Sequence, residues 1–141
     1  MYNKIILPTD GSGYSEEEAE RATKLVADDG EIIILSVAGK ITSSAFQSRR
    51  NVKKVNKSLY KEAEDNVNNM KKLFDDDVNV KTKVVVGFPA ESIIQVSEDE
   101  DADLIIISSS GKSGLHKFII GSVAEKVLKD SSIDVLLVHS K

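Results

Sequence analysis

Short apolar runs alternate along the chain with segments whose apolar residues recur every three or four positions. Ile5-Ile6-Leu7, ended by Pro8, reads as a buried strand. A helical pattern follows, with Ala19, Ala22, Leu25 and Val26 on one face. Ser15 and Glu18 have capping-box spacing at its start, and Gly30 is its expected end. Ile32 to Val37 carries apolar residues on both sides of the pleat, as a strand covered on both faces does. Ala38 to Arg50 is the least regular part of the chain. Val52, Val55, Leu59, Ala63, Val67, Met70 and Phe74 then predict a long amphipathic helix whose other face is solvated. Val80 to Val86 is a third strand, interrupted by Lys81 and Lys83 as suits a sheet edge. Gly87-Phe88-Pro89 turns the chain, and Pro89 starts a helix carrying Ile93 and Ile94. The acidic stretch Glu98-Asp99-Glu100-Asp101 reads as a solvated helix end and loop rather than a metal site. Leu104-Ile105-Ile106-Ile107 is the fourth strand, Val123 to Leu128 the next helix, and Ile133 to Val138 the fifth strand.

Strand–helix alternation predicts one α/β domain over residues 1–141, an open parallel five-stranded sheet with right-handed crossovers. Such sheets bind ligands beyond the carboxyl ends of their strands, where the strand order switches direction. Two loops of small and polar residues sit at such ends: Pro8-Thr9-Asp10-Gly11-Ser12 after strand one, and Ser108-Ser109-Ser110-Gly111 after strand four. They share a site only if strands one and four are neighbours, which requires the order 3-2-1-4-5. That order also puts the Lys-bearing third strand at one edge. The fifth strand becomes the other edge. It carries no Lys and no Pro, so it lacks the usual protection and is expected to pair with a second copy of itself.

The second loop is the richest in chemistry. Ile107 ends the apolar run, Ser108 to Gly111 follow, and nine residues later Gly121-Ser122 opens a helix. A strand, a small-residue loop and a helix N-terminus make an anion cradle, because small residues let backbone N–H groups approach a phosphate. Gly111 fits such a loop or an ordinary turn. Ser122 and Glu125 have capping-box spacing, while the N–H groups of Ser122, Val123 and Ala124 suit a phosphate; the two readings are compatible. Lys112 and His116 lie in the nine-residue spacer, where Lys112 reads as an exposed loop cation. Asp10 suits either a ligand contact or an Asx-turn leading into the first helix.

Composition narrows the remaining classes. The net charge is −4 with no long basic run, which argues against nucleic acid as a partner. There is no cysteine, so disulfides, thiolate catalysis and cysteine metal sites are excluded. His116 and His139 begin no metal-ligand motif. Ser12 and Ser15 have no histidine near them in sequence, so no nucleophile–base pair is formed. No apolar run approaches membrane-spanning length, the first residues lack a signal-peptide core, and a cytoplasmic location with no membrane partner is expected.

These residues together resemble the universal stress protein family. The likeness covers essentially the whole chain. It rests on Pro8-Thr9-Asp10-Gly11-Ser12, on Val37 ending the second strand, on Gly87-Phe88-Pro89 with Ile93, and on Asp103 to Ile107 leading into Gly121-Ser122. Nucleotide-binding members carry Gly-2x-Gly-9x-Gly-Ser/Thr. Here Gly111, the spacer, Gly121 and Ser122 match, but the first position is Ser108, whose side chain occupies space that the family leaves open. The resemblance implies an adenine nucleotide alpha hydrolase-like fold with helices on both faces. It implies ATP or AMP bound at Pro8, Thr9, Asp10, Val37, Ile107, Ser108, Gly111, Gly121, Ser122, Val123 and Ala124, with Mg2+ accompanying ATP. Asp10 would contact the adenosine end and Val37 would meet the adenine through its backbone, although its side chain is equally explained as core. The resemblance further implies a stress-response or regulatory homodimer joined through the strand Ile133 to Val138, with weak ATP hydrolysis at most. The alternative is a dimeric interaction module of the same fold that binds no nucleotide, a reading that Ser108 favours. A phospho-receiver domain would need an acidic acceptor after strand three, where Gly87-Phe88-Pro89 stands. A flavin carrier would want aromatic flanks, and only 5% of the residues are aromatic.

Overall fold

The chain runs β1 (Tyr2–Pro8), α1 (Ser15–Leu25), β2 (Val26–Ala38), α2 (Arg49–Lys71), β3 (Val80–Val86), α3 (Pro89–Asp99), β4 (Leu104–Ser108), α4 (Ser122–Asp130) and β5 (Asp134–Val138). In this computed structural model, which describes residues 1–12, 14–42, 49–109 and 120–139, every strand pair is parallel and the sheet order is β3-β2-β1-β4-β5. The expected order is therefore the observed one. β3 has the expected bounds and lies at an edge.

Alternation along the three central strands divides the core between the two faces of the sheet. Ile6, Ile33, Leu35, Ile105 and Ile107 pack against Ala90, Ile93 and Val96 of α3 and Ala124 and Val127 of α4. Ile5, Leu7, Ile32, Ile34, Leu104 and Ile106 point the other way, against Ala22 of α1 and Val67 and Met70 of α2. Burial on both faces explains why these strands read as unbroken apolar runs. Pro89 occupies the start of α3, as its fixed φ favours. Among the described residues, no helix is long and apolar enough to cross a membrane.

Two local expectations fail. Gly30 does not end α1: the helix stops at Leu25, and Val26 is already extended and pairs with Tyr2. The β1–β2 register then slips between Tyr2 and Lys4, whose partner is Glu31, so extra residues of β2 are accommodated there. Gly30 sits inside this irregularity because the backbones crowd it. A Cβ would lie 2.9 Å from the Asn3 carbonyl oxygen and 3.1 Å from that of Ala27.

Neither capping box forms. Tyr14 and Gly121 hold the N-cap positions, so Ser15 and Ser122 each lie one residue inside their helix, and no side chain caps either start. The Ser15 hydroxyl instead donates to the Ser12 carbonyl at 3.2 Å. Glu125 pairs with Lys129 one turn on, and Glu18 turns inward.

At the amino end of the sheet, the Asp103 carboxylate accepts the N–H groups of Asn3 and Lys4 at 2.9 and 2.8 Å, and the Asp103 N–H donates to the Lys4 carbonyl at 3.0 Å. Nearby, Lys4 lies within ion-pair distance of Glu31 and Glu100, and Lys81 and Lys83 pair with the same two carboxylates.

The crowding at Gly30 makes a direct prediction. Gly30→Ala should destabilise the fold by about 1–3 kcal/mol, since its methyl group meets backbone that can move only with the strand. The measurement is the urea midpoint of unfolding, and an unchanged midpoint contradicts the crowding.

Candidate functional site

β1 and β4 are neighbours, so the loops that leave their carboxyl ends start side by side. After β1, the Thr9 N–H donates to the Leu35 carbonyl at 2.8 Å. Asp10 Oδ1 accepts the Ser12 N–H at 2.9 Å, which is the Asx-turn anticipated for it, and the Gly11 N–H donates to Thr9 Oγ1 at 3.2 Å. Gly11 has φ +83°, and a Cβ there would fall 2.6 Å from Asn66 Oδ1 of α2. The backbone conformation therefore favours glycine, and any side chain there would also have to displace the Asn66 amide.

After β4, the Ser109 N–H donates to the Val138 carbonyl and the Gly121 N–H donates to the Ser109 carbonyl at 2.7 Å. This bond ties the start of α4 to the end of β4. The first intrahelical bond runs from the Glu125 N–H to the Gly121 carbonyl. The N–H groups of Ser122, Val123 and Ala124 precede it, so helix geometry gives them no carbonyl within α4. They also sit at the positive end of the helix dipole.

β2 outruns β1. Pro8 pairs with Leu35, and β2 continues to Ala38. The Leu35 carbonyl points toward β1, where Thr9 meets it, and the Ala38 carbonyl points toward β3, where it accepts from the Gly87 N–H. Alternation therefore turns the backbone N–H and carbonyl of Val37 toward the side on which β1 has ended. Its side chain packs, half-buried, against the α3/α4 face.

The structure thus gathers Pro8, Thr9, Asp10, Val37, Ile107, Ser108, Gly121, Ser122, Val123 and Ala124 at the carboxyl ends of β1, β2 and β4. Gly111, Lys112 and His116 lie outside the described residues. Among the described residues, no group of three or more His, Cys, Asp or Glu is placed to hold a metal ion.

The residue that the sequence reading passed over is Glu18. Its exposure is 3%, and Oε2 is buried with no hydrogen-bond partner among the described residues. Burial pushes its carboxyl up to about 8, and the neighbouring Asp10 carboxylate adds to the rise. The Ser108 hydroxyl donates to it and opposes the rise, while Glu17 adds to it. A signal was present: Glu18, Ala22 and Leu25 follow helical i, i+4, i+7 spacing, so Glu18 lies on the apolar stripe of α1. The capping-box spacing from Ser15 hid it.

An open parallel sheet whose loops converge at the β1–β4 switch point defines the class of Rossmann-like α/β proteins with a ligand crevice at the strand ends. The model of the universal stress protein family matches residues 1–139, and the chain belongs to that family. The universal stress protein MJ0577 of Methanocaldococcus jannaschii is 37% identical over 161 aligned positions, covering 100% of this chain and 97% of the relative. The solved structure of MJ0577 superimposes with a TM-score of 0.78, at 34% identity over 100% of this chain and 98% of that one. A universal stress protein in complex with cAMP shares the fold at a TM-score of 0.61, with 24% identity and coverage of 99% and 98%. So does an Arabidopsis thaliana family member with AMP bound, at a TM-score of 0.60, with 20% identity and coverage of 96% and 90%.

Glu18 sets a pH dependence of stability. Its folded-state value lies above the ordinary 4.5, so the folded protein holds a proton that the unfolded chain releases. The resulting contribution is complete below about 4.5 and is lost as pH rises through about 8. Glu18→Gln should flatten this part of the profile and be the more stable protein above pH 8, by a few kcal/mol. Urea unfolding of both proteins across that range measures the difference. Parallel profiles contradict a buried, proton-bearing Glu18.

Proposed function

We propose that this protein binds an adenine nucleotide, ATP or AMP, in the crevice at the carboxyl ends of β1 and β4, and that it serves as a dimeric stress-response or regulatory protein. The observation that carries this reading is the placement of the three leading N–H groups of α4 across from the open backbone edge at Val37. A phosphate suits the first, through direct N–H donation and the helix dipole. The donor and acceptor edge of an adenine suits the second. Asp10 and Thr9 line the adenosine end, and Ser108 and Ile107 lie between the two. AMP and cAMP complexes of proteins with this fold support the assignment. Mg2+ would accompany ATP as a counter-ion to its phosphates.

Calorimetric titration with ATP and AMP tests the reading. Binding is expected at millimolar concentration or below. Gly121→Val should abolish it, because Gly121 is buried where the chain turns from β4 into α4 and its new side chain would fill the phosphate approach. If neither nucleotide binds the wild type, the interaction module of the same fold replaces this reading.

The dimer reading rests on β5, which lies at the sheet edge with Val135, Leu136 and Leu137 only partly buried. The Val138 carbonyl points toward β4, so alternation turns the backbone groups of Val135 and Leu137 outward, available to a second β5 across a two-fold axis. Light scattering should give a dimer mass for the wild type at micromolar concentration. Leu137→Pro, which removes an outward N–H without touching the β4 ladder, should shift it to the monomer. A monomeric wild type contradicts the assignment, and a dimer unchanged by Leu137→Pro places the interface elsewhere.

A further inference from the structure

Among the described residues, Glu18 is the one ionisable side chain in the buried class, and it is buried at the proposed binding crevice rather than in a remote part of the core. Leu104 and Ile106 face α1 and α2, so Ser108, two residues further along β4, faces the same way. Its hydroxyl meets Glu18 of α1. This is the position at which the nucleotide-binding motif of the family has glycine. Strand alternation puts this hydroxyl on the α1 side of the sheet, where the Glu18 carboxyl group meets it.

Among the described residues, the surroundings of that carboxyl are one-sided. From the β1–α1 loop it faces Asp10, and from its own helix Glu17, and both act on it as negative charges. From β4 it meets the neutral Ser108 hydroxyl. The α2 side chain packed over this loop is Asn66, also neutral. Lys4 of β1 and Lys81 and Lys83 of β3 are paired with Glu31 and Glu100, with Lys4 at the opposite end of its strand. A phosphate entering the crevice would add a further negatively charged group to this set, in a poorly solvated place where charges interact strongly.

We propose that Glu18 is a positioning residue that makes nucleotide binding proton-linked: its carboxyl group pairs with the Ser108 hydroxyl on the α1 side of the sheet, and as a neutral acid it admits the anion, whereas as a carboxylate it disfavours the anion. This rests on the nucleotide-binding reading above. The orphaned Oε2 and the near-complete burial show a group that is poorly accommodated as an anion even before a ligand arrives. Its titration near 8 puts the change within easy experimental reach. Binding an anion beside it should raise that value further, so that the complex takes up a proton.

The test is AMP affinity measured by calorimetry from about pH 7.5 to 9.5, with EDTA present so that no divalent cation stands in for the proton. Over this range the AMP phosphate has finished its own titration, whose second step lies near about 6. Running each point in two buffers of different ionisation enthalpy counts the protons taken up. Wild-type affinity should fall toward about tenfold per pH unit at the upper end, with uptake approaching one proton. Glu18→Gln, neutral at every pH and able to hydrogen-bond Ser108, should bind with a flat profile and no linked proton. Ser108→Ala should move the wild-type fall to higher pH, since the hydroxyl favours the ionised form. Equal profiles for wild type and Glu18→Gln overturn the proposal while leaving nucleotide binding intact. Failure of both proteins to bind AMP anywhere in the range overturns both. Carbon-13 NMR of the Glu18 carboxyl in the free protein supplies a readout that needs no ligand. A midpoint in the ordinary glutamate range overturns the proposal by itself.

Discussion

The pairing of β1 with β4 is the contact on which the rest of the molecule depends. It is short: Ile5 faces Leu104, Ile6 faces Ile105, and the bridge goes no further. Asp103 secures its amino end with its carboxylate on two N–H groups of β1 and its own N–H on the Lys4 carbonyl. Beyond Ile6 and Ile105 the two strands run on to Pro8 and Ser108 without a shared bridge. The crevice is what opens there. Because the order switches direction at this pair, α1 and α4 leave on opposite faces, and both N-termini come to the same mouth.

The two ends of the sheet carry opposite electrostatic logic. At the amino end, Lys4, Lys81 and Lys83 meet Glu31 and Glu100 in a network that is partly exposed and internally balanced. Each of its pairs contributes little alone. At the carboxyl end, Glu18 is sealed against the core under the influence of two further carboxylates. One end is arranged for stability. The other holds a tension that a fold has no reason to keep for packing alone, since an apolar side chain on that stripe of α1 would serve the core better.

The strand order was legible because it had independent signatures. Lys81 and Lys83 marked β3 as an edge, and the two small-polar loops made sense only with β1 beside β4. The placement of the candidate site was legible at the level of backbone, through Gly121, Ser122 and the end of β2. What escaped was side-chain direction. The spacing of Ser15 to Glu18, and of Ser122 to Glu125, is compatible with a cap, but a residue one position inside the helix cannot use its side chain that way. Gly30 looked like a helix stop because its other role, yielding room to the Asn3 carbonyl, depends on a register slip that no local pattern encodes.

Val37 leaves a consequence of a different kind. Pro8 pairs with Leu35, and β2 runs three residues further, to Ala38. The N–H and carbonyl turned to that side belong to the main chain, so their direction follows from the unequal lengths of neighbouring strands. A substitution of the Val37 side chain leaves that pair of groups in place, whereas lengthening β1 by a residue or two would cover it. A ligand that read this edge would be selected by an offset in chain geometry and not by the identity of a side chain.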